Sequence, residues 1–131
     1  MLSFRKETSY AIQLVRYLSE QPGECCSLKK FSDQSKISFF FLQKIARKLV
    51  KKNIIQAEHG VCGGYTLRKE TQNLSLFDIV EIMENGVLLL PCVKGIKFCR
   101  KKSPECKVRD IITELNKEII KLMKKIKIIS K

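Results

Sequence analysis

A short helix, a turn and a second helix with a basic outer face come first, then a glycine-rich hairpin, then a long heptad-patterned segment. That order predicts a mainly α fold: a winged helix-turn-helix with a small β-hairpin wing, plus a long C-terminal dimerisation helix. The expected organisation is a DNA-binding head over residues 1–84, a cysteine-bearing loop over 85–107 and the dimerisation helix over 108–131.

From Arg5 to Leu18, the residues Tyr10, Ala11, Leu14, Val15 and Leu18 recur at helical spacing, and Gln21-Pro22-Gly23 ends the helix. Ser27 is placed to cap a short helix containing Leu28 and Phe31, and Ser38 to cap a third running to about Lys52. In that third helix Leu42, Ile45, Ala46, Leu49 and Val50 form an apolar stripe. Phe40, Gln43, Lys44, Arg47 and Lys51 fall on the opposite side. The β-prone run Asn53–Glu58, the turn from His59 to Gly64 and the run Tyr65–Arg68 read as a hairpin, placed where a wing belongs. No Lys-Ser/Thr follows the Gly-Gly pair and no helix starts there, which excludes a phosphate loop. Ser75-Leu76-Phe77-Asp78 has capping-box form, with Asp for the usual Glu, and opens a helix to about Glu84. Gly86, Pro91, Gly95 and Pro104 make the stretch up to Lys107 irregular. Thereafter Val108, Ile112, Leu115, Ile119, Leu122, Ile126 and Ile129 alternate steps of four and three, a seam that wants a partner helix and favours a homodimer.

The chain carries 26 Lys and Arg against 13 Asp and Glu, a formal charge of +13. Residues 1–60 hold 11 basic and 5 acidic side chains and residues 91–131 hold 13 and 4, around a mildly acidic middle. Two basic regions suit a polyanion, and the helix-turn-helix makes double-stranded promoter DNA the expected one. Met1–Leu18 lacks the apolar core of a secretory signal, and no stretch reaches the roughly 20 apolar residues a spanning helix needs. The expectation is a cytoplasmic protein with no membrane partner. In that compartment the six cysteines are thiols or metal ligands rather than a disulfide framework. With one His, no Trp and no convergent acid/base set, the chain does not read as an enzyme.

Cys92, Cys99 and Cys106 are separated by six residues each, which is not the two close pairs of a zinc ribbon. Three spread thiols suit a larger object, and thiolates are the usual ligands of iron–sulfur clusters. Lys94, Lys97, Arg100, Lys101, Lys102, Lys107 and Arg109 surround them in sequence. Such cations favour ionised thiols and offset the charge of a thiolate-bound cluster. Cysteines used as small core residues are the plain alternative, and the stronger one for Cys25 and Cys26; Cys62 lies in the wing turn.

Several stretches together resemble one known family, the winged-helix regulators that include the iron–sulfur cluster regulator IscR, the nitric-oxide-sensing repressor NsrR and the cysteine-metabolism repressor CymR. They are Ser9-Tyr10-Ala11-Ile12, Ile37-Ser38, Leu42-Gln43-Lys44-Ile45, Gly60-Val61-Cys62-Gly63-Gly64-Tyr65-Thr66-Leu67 and Leu74-Ser75-Leu76-Phe77-Asp78-Ile79-Val80, followed by the cysteine loop and terminal helix. The resemblance implies a dimer that binds promoters specifically. It also implies an iron–sulfur cluster, of two-iron or four-iron type, on Cys92, Cys99 and Cys106, whose loss or oxidation changes DNA affinity. Where the cluster regulator has a His after its third cysteine, this chain has Arg109, which does not ligate iron. Where the nitric-oxide sensors use a partner's acidic residue, it has Ser9, with Glu7 two residues away. Glu7, Ser9, Glu105 and an exogenous group all stay open as fourth ligand. The wing position usually held by Arg is His59.

The third helix is expected in the major groove, with Gln43 on adenine, Lys44 or Arg47 on guanine or phosphate, and Phe40 on a thymine methyl. Lys36, Ser38 and Tyr65 are expected phosphate contacts, and His59 a minor-groove one. Two other function classes fit the same residues: a cluster-free regulator responding through thiol redox chemistry or a sulfur metabolite, and a structural zinc-binding RNA module.

Overall fold

Helices α1 (Lys6–Ser19) and α3 (Phe39–Lys51) form the centre of the head because each carries one continuous apolar face. Ala11, Leu14, Val15 and Leu18 from α1 meet Leu42, Ile45, Ala46 and Leu49 from α3, all of them buried. The computed structural model describes residues 3–60, 63–90, 93 and 106–129. Between those helices lies α2 (Leu28–Ser35), whose N-cap Ser27 accepts the backbone N–H groups of Lys29 at 3.2 Å and Lys30 at 3.4 Å. It ends where Lys36 enters the left-handed region at φ 64° and donates its N–H to the Ser32 carbonyl. Buried Ile37 anchors the turn, and the Ser32 hydroxyl donates to the Ile37 carbonyl at 2.6 Å. This apolar plug and its side-chain tie set the angle at which α3 leaves.

Strands β1 (Ile55–Glu58) and β2 (Gly64–Leu67) pair antiparallel, from Ile55 opposite Leu67 to Glu58 opposite Gly64. Backbone bonds from Cys26 N–H to the Tyr65 carbonyl (2.9 Å) and back (2.8 Å) fasten the hairpin to the segment before α2. That approach explains the second glycine of the Gly-Gly pair: a Cβ on Gly64 would collide with the Cys26 carbonyl.

Helix α4 (Leu76–Glu84) opens with the expected capping box, Ser75 and Asp78 satisfying each other's backbone N–H. Its residues Ile79 and Met83 join the head core, while Val80 is buried towards α5 (Lys107–Lys125). In α5 the residues Asn116 and Met123 are buried and Ile112, Ile119 and Ile120 half-buried.

Two expectations need correction. Ser38 occupies the N-cap position of α3, but its side chain makes no capping bond. The C-terminal helix stops at Lys125, so Ile126 and Ile129 lie outside it rather than continuing the seam. The chain turns extended there and pairs with the start of α4: Leu76 N–H donates to the Ile126 carbonyl (2.8 Å), and Ile128 N–H to the Leu74 carbonyl (3.1 Å). The first-turn N–H of α4 lacks a partner within its own helix, and the extended tail supplies one while burying Ile128 and packing Ile129 on the core. Those gains displace a further helical turn.

Because Leu49 is completely buried between α1 and α3, Leu49→Ala should lower the unfolding free energy by about 2–5 kcal/mol in urea denaturation. A loss well below about 1 kcal/mol would mean that the core closes around the missing atoms or was not packed as described.

Candidate nucleic-acid interface

With one face of α3 committed to the core, its other residues must face outward. Phe40 is 68% exposed, Lys44, Arg47 and Lys51 are exposed, and Gln43 is half-buried beside them. The helix contains no acidic residue in its first turn and none further on. The Lys44 ammonium lies 5.5 Å from the centre of the Phe40 ring one turn earlier, so cation and aromatic form a single projecting unit. Phe39, 38% exposed, adds apolar surface that sequence reading missed. A chemically mixed surface of this kind suits the major groove, where base edges offer acceptors and thymine offers a methyl.

The same region supplies groups for phosphate. Lys36 and Ser38 are both exposed at the turn before α3. The Ser38 hydroxyl, uncommitted to capping, lies beside the unpaired N–H groups that open a helix and favour an anion. His59 is exposed immediately after β1. Tyr65 is half-buried against the core at the base of the hairpin. The structure therefore gathers Lys36, Ser38, Phe40, Gln43, Lys44 and Arg47 around the start and outer face of α3, with His59 on the hairpin.

The flank of α3 turned towards α1 carries Phe41 and Lys48. Phe41 packs edge-on against Tyr10 at 5.8 Å between ring centres, and Lys48 Nζ stands 3.1 Å from Glu7 Oε2. The start of α1 is tied in turn to the end of α4, where Glu84 Oε1 accepts the Arg5 N–H and the Thr8 hydroxyl, each at 2.7 Å. Thr8 is buried, and a carboxylate accepting two donors there is a strong tie.

The expected dimerisation residues divide into two sets. Ile112 and Ile119 are half-buried, while Val108, Leu115 and Leu122 stay exposed together with Ile111, which sequence reading passed over. A stripe at positions 108, 111, 115 and 122 of one helix is the geometry of an unpaired seam. Asn116 was also missed. Buried on the α5 face that packs inward, its Oδ1 accepts the Leu89 N–H (2.9 Å) and its Nδ2 donates to the Val87 carbonyl (3.0 Å). A lone amide among Ile112, Ile119 and Met123 was the available signal, since a buried amide must find backbone partners.

Of the expected metal ligands, Cys92, Cys99 and Glu105 lie outside the described residues. Cys106 is a half-exposed free thiol at the N-cap position of α5, where it makes no capping bond. Ser9 is exposed and its hydroxyl accepts from Gln13 Nε2, while Glu7 is held by Lys48. Among the described residues no group of three His, Cys, Asp or Glu side chains converges as a metal site. Cys26 behaves as a core residue: its thiol donates to Gln21 Oε1, and burial, with Cys25 and Glu24 adding to it, pushes its pKa up. No described helix is long and apolar enough to cross a membrane.

Over residues 4–130 the chain matches the family described as Rrf2, iron-dependent transcriptional regulator. It is 28% identical over 108 residues to the HTH-type transcriptional regulator NsrR of Shouchella clausii, spanning 82% of this chain and 72% of that one. Against NsrR of Halalkalibacterium halodurans the identity is 26%, over 82% and 74% of the two chains. Among solved structures, CymR, the global cysteine regulator of B. subtilis, superposes with a TM-score of 0.78 at 17% identity, over 98% of this chain and 94% of that one. T. potens IscR gives 0.75 at 21% identity, over 97% and 83%. At those identities the likeness establishes the winged-helix fold.

If the outer face of α3 meets the DNA backbone, Lys44→Ala and Arg47→Ala should each flatten the salt dependence of duplex binding by about one unit of log K against log salt. Fluorescence anisotropy across a salt series reads this, with circular dichroism unchanged because both side chains project outward. Slopes equal to wild type would remove both residues from the phosphate contacts.

Proposed function

Because the chain belongs to the Rrf2 family of transcriptional regulators, which are not enzymes, we propose that it acts as a homodimer on double-stranded promoter DNA, with an iron–sulfur cluster on Cys92, Cys99 and Cys106 modulating that binding. The observation that carries the DNA-binding part is the outer face of α3, aromatic and cationic without a single carboxylate. Exposed Val108, Ile111, Leu115 and Leu122 support dimerisation through α5, since such a stripe on a 19-residue helix loses its cost in water when a second copy covers it.

The chemistry of Cys106 fits a cluster ligand. Its thiol is free, half-exposed and uncommitted to capping, and cysteine sulfur is the usual ligand of iron in such clusters. Cys92 and Cys99 would complete the thiol set, with Glu7, Ser9 or Glu105 as the candidate fourth ligand. When bound, a cluster supplies a centre open to oxygen and nitric oxide. The residues around it would relay the change. Asn116 holds Val87 and Leu89, where the cysteine segment begins, against α5. Glu84, just before that segment, holds the start of α1. Rearrangement between residues 85 and 106 is thereby mechanically linked both to the dimer helix and to the helix that packs on α3. The similarity to NsrR supports the cluster reading, and the fold shared with the cysteine regulator CymR supports a thiol-based alternative.

Anaerobic purification with visible absorption, iron and sulfide assays tests the assignment. The expected wild type is brown with matching iron and sulfide, Cys92→Ala and Cys106→Ala are bleached, and duplex affinity differs between the loaded and cluster-free forms. Colourless, iron-free protein that still binds DNA would transfer the cysteines to thiol chemistry. Light scattering on Leu115→Glu should report a monomer; an unchanged mass would dismiss the α5 interface.

A further inference from the structure

The Glu7–Lys48 pair does something that neither helix packing nor the cysteine segment requires. Among the described residues, Lys48 is the only basic side chain of α3 held in an ion pair, while Lys44, Arg47 and Lys51 project without one. Lys48 follows Lys44 by one helical turn, so it borders the outward face and a long, flexible side chain there is within reach of the backbone that Lys44 would contact. The pair is only partly shielded, with Lys48 42% and Glu7 29% exposed, so it is weak and readily exchanged for another partner. Its geometry is nonetheless maintained. Glu7 lies in the first turn of α1 and Lys48 in the last turn of α3, each where its charge suits the helix end. Glu84 grips Arg5 and Thr8 on either side of Glu7 and so holds that turn still.

We propose that Glu7 is an electrostatic latch on the reading helix. While the pair is closed, the two charges cancel and Lys48 offers no net charge to DNA. When the carboxylate is engaged elsewhere, Lys48 becomes an additional phosphate contact and affinity for any duplex rises. Because Glu7 is a candidate fourth ligand, ligation and its hold on Lys48 compete for the same carboxylate. The latch rests on the DNA-binding reading above and needs no metal to be tested.

The experiment uses the full-length, metal-free chain and a labelled duplex of scrambled sequence, with anisotropy titrations from about 50 to about 200 mM salt. Glu7→Gln should tighten binding and steepen the slope of log K against log salt by about 0.9, roughly a threefold larger loss of affinity over that range. The double variant Glu7→Gln with Lys48→Ala should return to the wild-type slope, and Lys48→Ala alone should match wild type. An unchanged slope in Glu7→Gln overturns the latch. So does steepening that persists in the double variant, which would mean that the loss of the carboxylate acts without Lys48, or flattening by Lys48→Ala alone, which would mean that Lys48 already touches phosphate or that the slope simply follows net charge. Wild-type protein that binds no duplex at all would instead overturn the DNA-binding reading itself.

Discussion

Helix α4 is nine residues long and has to satisfy three helices at once. Ile79 and Met83 close the head core against α1 and α3, while Val80 faces the opposite way, into a cleft of about 340 Å³ shared with Phe4, Leu88, Ile119 and Met123. With so few residues, each apolar side chain has one available destination. The orientation of α3, and hence of Phe40 and Lys44, depends on the first pair, and the position of α5 depends on Val80. Removing α4 would leave a helix-turn-helix with an open core and a C-terminal helix with nothing to lie on.

Polar ties then make this arrangement specific where apolar packing alone would tolerate rotation. Glu84 joins the end of α4 to the start of α1, Asn116 joins α5 to residues 87–89, and the 126–128 tail adds backbone bonds at the start of α4. Each satisfies buried or helix-end groups that would otherwise be left without partners. The first two ties border the segment that runs from α4 to α5, and the third closes the opposite ends of the same two helices. Glu84 and Asn116 thus tie the two ends of that segment, at α4 and at residues 87–89, to α1 and to α5.

Much of this was legible from residue spacing. The stripe Leu42, Ile45, Ala46, Leu49 identified both the buried and the outward face of α3, because a 3.6-residue period leaves no other solution. The Ser75–Asp78 box and Ser27 marked helix starts through strictly local hydrogen bonds. Local chemistry failed at Ser38, whose side chain does not cap, and at Ile126, where a heptad pattern continued past the end of its helix. The competing interaction at Ile126 is with residues 74–76, some fifty positions earlier in the chain, and no periodicity reports a bond of that span.

The sequence by itself determined the order and type of the main elements, the cationic character of the outer face of α3 and the even spacing of Cys92, Cys99 and Cys106. These follow from short-range periods, caps and turn residues, and from charges that need only be counted. Tertiary structure alone decided that Glu7 holds Lys48, that Glu84 holds Thr8, that Asn116 lies buried on 87–89, and that the apolar seam of α5 divides into a packed half and an uncovered one. The three ties join residues 27 to 76 positions apart, and they and the division of the seam exist only after the helices have packed.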